Sequence, residues 1–181
     1  MAKTQVIVRK LESPHQTESM TKYLPLSDGQ VAEIKAAVKE IFDANGGAAM
    51  LKKSKDVFIK PNGIDGKAYC YTRPELIEAV IEYWKANGAR DIYLFEDSTQ
   101  SNYTRIVYEV TGYAKICKRT GAKPVFLDEG KMKILEFKGR DDYMNNKFAM
   151  PEFVIKNLIE GKDDNLEKEL DPLAKVMCSD S

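Results

Sequence analysis

Polar and charged side chains follow three apolar segments of the sequence, at the points where predicted strands end. Each segment is short, rich in β-branched or aromatic residues and bounded by charge, which is typical of a buried strand. If the strands are parallel, their carboxyl ends meet at one edge of the sheet, where open α/β sheets bind ligands. The side chains that would gather there are Lys60, Asn62, Glu96, Asp97, Asp128 and Glu129.

The residues at the first two of these strand ends could do several kinds of chemistry. Lys60 could neutralise a small anion, and the amide of Asn62 could orient it. Glu96 or Asp97 could ligate a hard metal ion such as Mg²⁺, or could accept a proton. Adjacent residues on a strand point to opposite faces, so the two carboxylates need not act together. The alternative is that all these residues form turns, loop caps and ion pairs without any ligand.

A second candidate group lies at the start of a predicted helix. Thr72 is followed three residues later by Glu75, the spacing of a capping box, and Pro74 fits the first turn, where its missing N–H costs nothing. A helix N-terminus carries a positive dipole end and unpaired N–H groups. An anion could therefore bind between this end and Lys60, with Arg73 strengthening the site. The alternative is that Thr72 only caps the helix and that Arg73 is an ordinary exposed arginine.

Strand and helix patterns alternate along the chain with short connections, which predicts an α/β fold. We expect a mostly parallel, Rossmann-like, three-layer sheet with helices on both faces. Helices are predicted from Ser27 to Asn45, from Thr72 to Asn87 and, with a break at Gly112, over residues 104–119. Strands are predicted at residues 6–8, 57–59, 92–95, 125–127 and 134–137. We assign residues 1–138 to an α/β domain and residues 139–181 to an irregular, weakly helical segment that could lead into a further half.

The composition narrows the classes of partner. Lys plus Arg and Asp plus Glu both number 28, so the net charge is zero, which argues against a general nucleic-acid or membrane-surface binder. We find no secretion signal and no apolar run long enough to span a membrane, and expect a cytoplasmic protein.

Cys70, Cys117 and Cys178 form no C-x-x-C pair, which argues against a zinc or iron–sulfur site built from this chain alone. A third hypothesis, with Cys70 as a nucleophile, would require a thiolate of low pKa.

Several short motifs occur together over residues 46–129. They are Gly46-Gly47, Ile59-Lys60-Pro61-Asn62, Thr72-Arg73-Pro74-Glu75, Ala86-Asn87-Gly88-Ala89, Glu96-Asp97, Thr111-Gly112 and Gly121-Ala122. In this order they resemble the N-terminal half of the family catalogued as domain of unknown function 362. The resemblance implies a prokaryotic, often iron–sulfur-associated protein with a redox or metal-linked role and no assigned activity. Its pattern implies these site residues: Lys60, Asn62, Thr72 and Glu96. The chain departs from that pattern because it has no ferredoxin cysteine motif.

Two functions from different classes follow from these observations. In the leading hypothesis, the protein binds a small anionic ligand or a metal at the strand carboxyl edge, in a redox or metal-linked context. The catalytic candidates are Lys60, Glu96 and Asp97, and the ligand-binding candidates are Asn62, Thr72 and Arg73. The identity of any metal or cofactor, and whether the protein is an enzyme, stay open. The alternative is a non-catalytic interaction module or fragment that docks to a partner subunit, or to a second copy, through an open sheet edge.

Overall fold

The structure is a computed structural model that describes residues 6–12, 17–19, 22–52, 54–98, 103–137 and 146–159. The chain divides into two compact units, Met1–Val125 and Phe126–Ser181. The predicted boundary at residue 138 and most of the segment 139–181 lie outside the described residues.

The first unit begins with a short hairpin and continues with alternating helices and strands. The antiparallel hairpin pairs β1 (Thr17–Ser19) with β2 (Lys22–Tyr23). The helices are α1 (Asp28–Ala44), α2 (Pro74–Ala86), α3 (Thr104–Thr111) and α4 (Tyr113–Thr120). The strands that follow the hairpin are β3 (Asp56–Ile59), β4 (Asp91–Glu96) and β5 (Lys123–Phe126). A 3-10 turn, Gly47–Met50, lies between α1 and β3.

The strands β3, β4 and β5 form a three-stranded parallel sheet in that order. The register of β3 and β4 runs from Asp56 opposite Asp91 to Ile59 opposite Leu94, so both strands end at the same edge. Helix α1 packs on α2, α2 packs on α4, and α3 packs on α4. This helix-flanked parallel sheet confirms the predicted α/β, Rossmann-like fold class.

The core of the first unit is formed by the inner sides of β4 and of the helices. Ile81 of α2 and Leu94 of β4 are fully buried. Burying one such side chain contributes about 1.5–3 kcal/mol relative to leaving it in water. The other large apolar residues of this core include Ile34, Val38, Ile77, Trp84, Ile92, Val107 and Ile116. Their recurrence at helical spacing explains why the helical segments of the sequence could be recognised.

Three predicted helix boundaries can be compared with the structure. Ser27 is the N-cap of α1 and forms the predicted capping box with Gln30, which confirms that start. Gly112 has φ +85° and separates α3 from α4, which confirms the predicted break. The predicted capping box of Thr72 and Glu75 is wrong, because Arg73 is the N-cap of α2 and makes no side-chain capping bond. The Thr72 hydroxyl instead accepts a hydrogen bond from the Asn62 N–H at 2.9 Å.

Two of the predicted strands differ from the observed ones. Residues 6–8 are not a strand, and Val6 and Val8 are 79% and 86% exposed. An apolar run becomes a strand only where its backbone finds a ladder partner, and the sequence pattern does not supply one. The strand predicted at residues 125–127 lies earlier in the chain, because β5 begins at Lys123 and ends at Phe126. Leu127–Glu129 form a 3-10 turn.

The second unit contains a hairpin followed by a short helical segment. Strands β6 (Met132–Phe137) and β7 (Asn146–Pro151) are antiparallel, with Met132 opposite Pro151 and Phe137 opposite Asn146. The predicted strand at residues 134–137 is part of β6. Helix α5 (Glu152–Val154) continues into a π-helical turn, Ile155–Ile159. Within the described part of the chain, every helix is too short or too polar to cross a bilayer.

Candidate functional site

Lys60 and Glu96 meet at the carboxyl edge of the sheet. Lys60 directly follows β3, and Glu96 is the last residue of β4. The Lys60 Nζ lies 2.7 Å from the Glu96 Oε1. The Lys60 side chain is 54% exposed, whereas that of Glu96 is only 2% exposed. The parallel strands thus join a half-exposed cation to a buried carboxylate.

The two oxygens of the Glu96 carboxylate have different surroundings. Oε1 accepts a hydrogen bond from the Asp97 N–H at 2.9 Å, in addition to its contact with Lys60. Oε2 is buried and has no hydrogen-bond partner. A Cβ atom added to Gly63 would lie 3.2 Å from the Glu96 Cγ and 3.5 Å from the nearest carbon of the Tyr113 ring. A side chain at position 63 would therefore require the Glu96 side chain to shift by a few tenths of an ångström.

The loop between β3 and α2, residues 60–73, is closed by bonds between its two ends. The Thr72 N–H donates to the Asn62 carbonyl at 2.7 Å, and Gly63 forms an isolated antiparallel bridge with Tyr71. The Asn62 side-chain amide donates to the Cys70 carbonyl at 3.2 Å. Asn62 and Thr72 are therefore brought together, with their side chains bonded inside the loop.

Buried hydroxyl groups attach this loop to the rest of the unit. The Tyr113 hydroxyl lies 2.7 Å from the Thr72 carbonyl and 3.0 Å from the Asn62 carbonyl, and its single hydrogen is shared between these two acceptors. The Ser98 hydroxyl donates to the Gly63 carbonyl at 2.6 Å. Burial first, and then the nearby negative charge of Glu96, raise the pKa of Tyr113 above its usual value, so the hydroxyl remains a donor.

Sequence reasoning missed these hydroxyl residues. Ser98 comes two residues after the end of β4, so the same logic that selected the strand ends could have included it. The only sequence signal for Tyr113 is its position directly after the helix break at Gly112. Tyr108, which donates to the Leu94 carbonyl at 3.0 Å, carries no such signal.

Arg73 is buried, whereas an ordinary surface arginine would be exposed to solvent. Its side chain is 3% exposed, and its Nη2 donates to the Leu24 carbonyl. The guanidinium carbon lies 4.8 Å above the centre of the Tyr23 ring. The Arg73 Nε is 3.2 Å from the Glu75 Oε2. Arg73 therefore contacts residues 23 and 24, before α1, and the first turn of α2.

The other candidates are placed as follows. Asp97 is exposed, and its backbone N–H contacts Glu96. Asp128 and Glu129 are exposed in the 3-10 turn of the second unit. Among the residues that the structure describes, no group of three His, Cys, Asp or Glu side chains could hold a metal ion. Of the cysteines, Cys70 is half-buried and Cys117 is buried, while Cys178 lies outside the described ranges.

Comparison with known proteins identifies the family of this domain. No curated protein and no solved structure matches the chain. The sequence model of one family, described as "Domain of unknown function (DUF362)", matches residues 57–156, more than half of the chain. The match covers β3, both ends of the loop between β3 and α2, and the Lys60–Glu96 pair. The chain belongs to the domain of unknown function 362 family.

Proposed function

We propose that this domain binds a small anionic ligand at the carboxyl edge of β3 and β4, with Lys60 binding the anion. The observation that supports this proposal is the pair formed by the half-exposed Lys60 ammonium and the buried Glu96 carboxylate, one oxygen of which has no partner. The redox or metal-linked setting of the ligand is an expectation carried over from the family resemblance.

Lys60 is suited to bind an anion because its head group faces solvent. Among the described residues, its Nζ contacts Glu96 and, at a long 3.5 Å, the Pro61 carbonyl. An ammonium group offers three donors on a flexible stem, so Lys60 can turn towards an anion at modest cost. An anion at this edge of the sheet would draw Lys60 at least partly away from Glu96.

Glu96 limits the kind of anion that can bind there. A buried carboxylate that loses its cation is strongly unfavourable. A ligand that attracts Lys60 must therefore also offer a hydrogen-bond donor or a proton to Glu96. A small carboxylic acid that carries a hydroxyl group on the neighbouring carbon has both features. In this arrangement Glu96 is the proton or hydrogen-bond acceptor.

Isothermal titration of the full chain with glycolate and with acetate tests this proposal, since the two acids differ by one hydroxyl group. We expect glycolate to bind more tightly than acetate. Lys60→Met should abolish the binding of both acids. Glu96→Gln should remove the preference for glycolate, because no buried charge is then left without a partner.

Lys123→Met is the matched control for Lys60→Met. The Lys123 Nζ lies 2.7 Å from the Asp91 Oδ1, and its side chain is 52% exposed, so the two lysines have the same ion-pair distance and a similar exposure. Lys123→Met should bind glycolate like the parent. The proposal is wrong if neither acid binds, or if Lys60→Met and Lys123→Met bind glycolate equally well.

A second candidate function, association with another copy of this chain, is supported by the two ends of the sheet. In the part of the chain that the structure describes, β3 and β5 each have only one neighbouring strand. Unpaired strand edges offer N–H and C=O groups to another strand. Sedimentation velocity over a wide concentration range tests this function, and a sedimentation coefficient that stays that of a monomer contradicts it.

A further inference from the structure

The guanidinium group of Arg73 is buried without enough partners. Its Nη1 is buried and makes no hydrogen bond, whereas its Nε forms an ion pair at 3.2 Å with the Glu75 Oε2, an oxygen that is also buried and accepts no hydrogen bond. A buried charged group that lacks hydrogen bonds is costly, and such groups in native proteins call for a specific explanation. The guanidinium therefore lacks an acceptor at Nη1, and the Glu75 Oε2 could still accept a hydrogen bond in addition to its ion pair with Nε.

These atoms surround the N-terminus of a long helix. Helix α2 has 13 residues, its N-cap is Arg73, and no side chain caps its first turn. The aligned peptide dipoles of α2 favour a negative charge at this end. The buried Nη1, which has no partner, is an observation independent of the dipole, and both favour an anion beside Arg73.

A segment of chain covers Arg73, and we call this segment, residues 22–26, the strap. The Leu24 carbonyl accepts a hydrogen bond from the Arg73 Nη2. The Tyr23 hydroxyl accepts from the Tyr69 N–H at 3.1 Å and donates to the Tyr71 carbonyl at 3.2 Å. The Tyr23 ring also packs edge to face against Tyr69 and Tyr71. The strap is thus held by this ring and by a few polar contacts, one of which places a carbonyl oxygen on the guanidinium group.

We propose that Arg73 and Glu75 form a phosphate-binding site that the strap closes, with the Leu24 carbonyl in the place of one phosphate oxygen. When the strap opens, two nitrogens of the guanidinium bind two phosphate oxygens side by side. A third oxygen, still protonated, donates to the Glu75 Oε2. The ligand class is a free phosphate or a phosphate monoester. The site uses neither side chain of the Lys60–Glu96 pair and does not depend on the function proposed for that pair.

The Glu75 carboxylate should distinguish phosphate from sulfate, because it accepts a hydrogen bond from a protonated anion but repels an anion that has no proton. At slightly acidic pH inorganic phosphate keeps a protonated oxygen, whereas sulfate does not. Leaving the buried acceptor unpaired costs sulfate on the order of tenfold in affinity relative to phosphate. We therefore expect the parent to bind inorganic phosphate about tenfold more tightly than sulfate.

The test is isothermal titration of the full chain with inorganic phosphate and with sulfate at slightly acidic pH. Glu75→Gln has nearly the same shape and can donate to sulfate, so it should abolish the preference for phosphate. Arg73→Lys should lose the paired contacts and weaken phosphate binding. Lys123→Met, which removes a lysine outside both proposed sites, should keep the full preference. The proposal is overturned if phosphate does not bind, if sulfate binds equally well, or if Glu75→Gln keeps the preference.

A second measurement addresses the strap and keeps the proposal testable if Arg73→Lys does not fold. Tyr23→Phe keeps the ring over Arg73 but loses both hydroxyl contacts, so the strap should open more often. Apparent affinity rises with the fraction of open molecules. We therefore expect Tyr23→Phe to bind phosphate more tightly than the parent, and saturating phosphate to accelerate tryptic cleavage after Lys22. Unchanged affinity in Tyr23→Phe, or cleavage that phosphate does not accelerate, would show that the strap does not cover the site.

Discussion

Replacing Lys60 by methionine should destabilise the protein because it leaves the buried Glu96 carboxylate without its cation. Breaking a fully buried ion pair costs about 3–5 kcal/mol, whereas an exposed pair is worth at most about 1 kcal/mol. Glu96 is 2% exposed and Lys60 is 54% exposed, so this pair lies between the two cases. We expect Lys60→Met to lower the free energy of unfolding by about 2 kcal/mol. Methionine keeps most of the apolar stem, so little packing is lost.

Urea unfolding followed by tryptophan fluorescence measures this loss. Trp84 is the single tryptophan, is 6% exposed and packs edge to face against Phe42 and Tyr83, so its emission reports on the packing of α1 and α2. With a urea dependence of about 2 kcal/mol/M, the midpoint should fall by about 1 M.

Two further variants separate the buried charge from other effects of removing Lys60. Lys123→Met removes a lysine of similar exposure from Asp91, a carboxylate that is 29% exposed, and should shift the midpoint less. Adding Glu96→Gln to Lys60→Met removes the unpaired charge and should restore most of the lost stability. Equal midpoints for the two lysine variants, or a double variant no more stable than Lys60→Met, would refute the reasoning.

Three shorter predictions concern packing and titration. Gly63→Ala should cost about 1–3 kcal/mol in urea unfolding, because the new Cβ would lie 3.2 Å from the Cγ of the buried Glu96. Burial raises the pKa of Cys117 to about 11, so mass spectrometry should find this thiol poorly labelled by iodoacetamide in the native protein at neutral pH. A hydrogen bond from Lys123 lowers the pKa of Asp91. The stability contributed by this pair is present above the unfolded pKa of the carboxyl and is lost as pH falls through the folded pKa. In thermal unfolding, the difference between the parent and Lys123→Met should therefore disappear at acid pH.

Controls for the first two of these predictions exist within the chain. Gly29→Ala in α1 would place a Cβ 3.9 Å from the Ser27 Oγ, an ordinary van der Waals contact, and should not destabilise the protein. If Gly63→Ala is as stable as Gly29→Ala, Gly63 is not needed to accommodate Glu96. The half-buried Cys70 serves as the internal comparison for labelling, and Cys117 should be labelled more slowly than Cys70 until the protein is unfolded.

The meeting of Lys60 and Glu96 could be predicted from the sequence because it depends on local patterns. The apolar segments before these residues define strands, and helical spacing between the strands implies parallel pairing. The capping box at Ser27 and the break at Gly112 are likewise set by residues within a few positions of each other. Each of these features depends only on interactions between residues close in sequence and on the tendency of consecutive strands joined by a helix to pair in parallel.

The features that could not be predicted depend on contacts between distant segments. Arg73 is buried because residues 23 and 24, about 50 positions earlier, cover it, and no pattern near Arg73 indicates this cover. Thr72 meets the requirements of an N-cap, but its hydroxyl bonds to the Asn62 N–H across the loop. Competition between a local cap and a long-range partner is decided by tertiary structure. The apolar residues 6–8 likewise needed a neighbouring strand that no local pattern could guarantee.

The hydroxyl groups of Ser98 and Tyr113 donate to carbonyl oxygens of the main chain and not to side chains. Every amino acid presents the same carbonyl, so positions 62 and 72 can exchange their side chains without removing an acceptor of the Tyr113 hydroxyl. Ser98 and Tyr113 thereby hold the loop in place, whereas the side chains of the loop itself determine its chemistry. Related proteins could thus evolve new ligand preferences at these positions while Ser98 and Tyr113 keep the backbone in place.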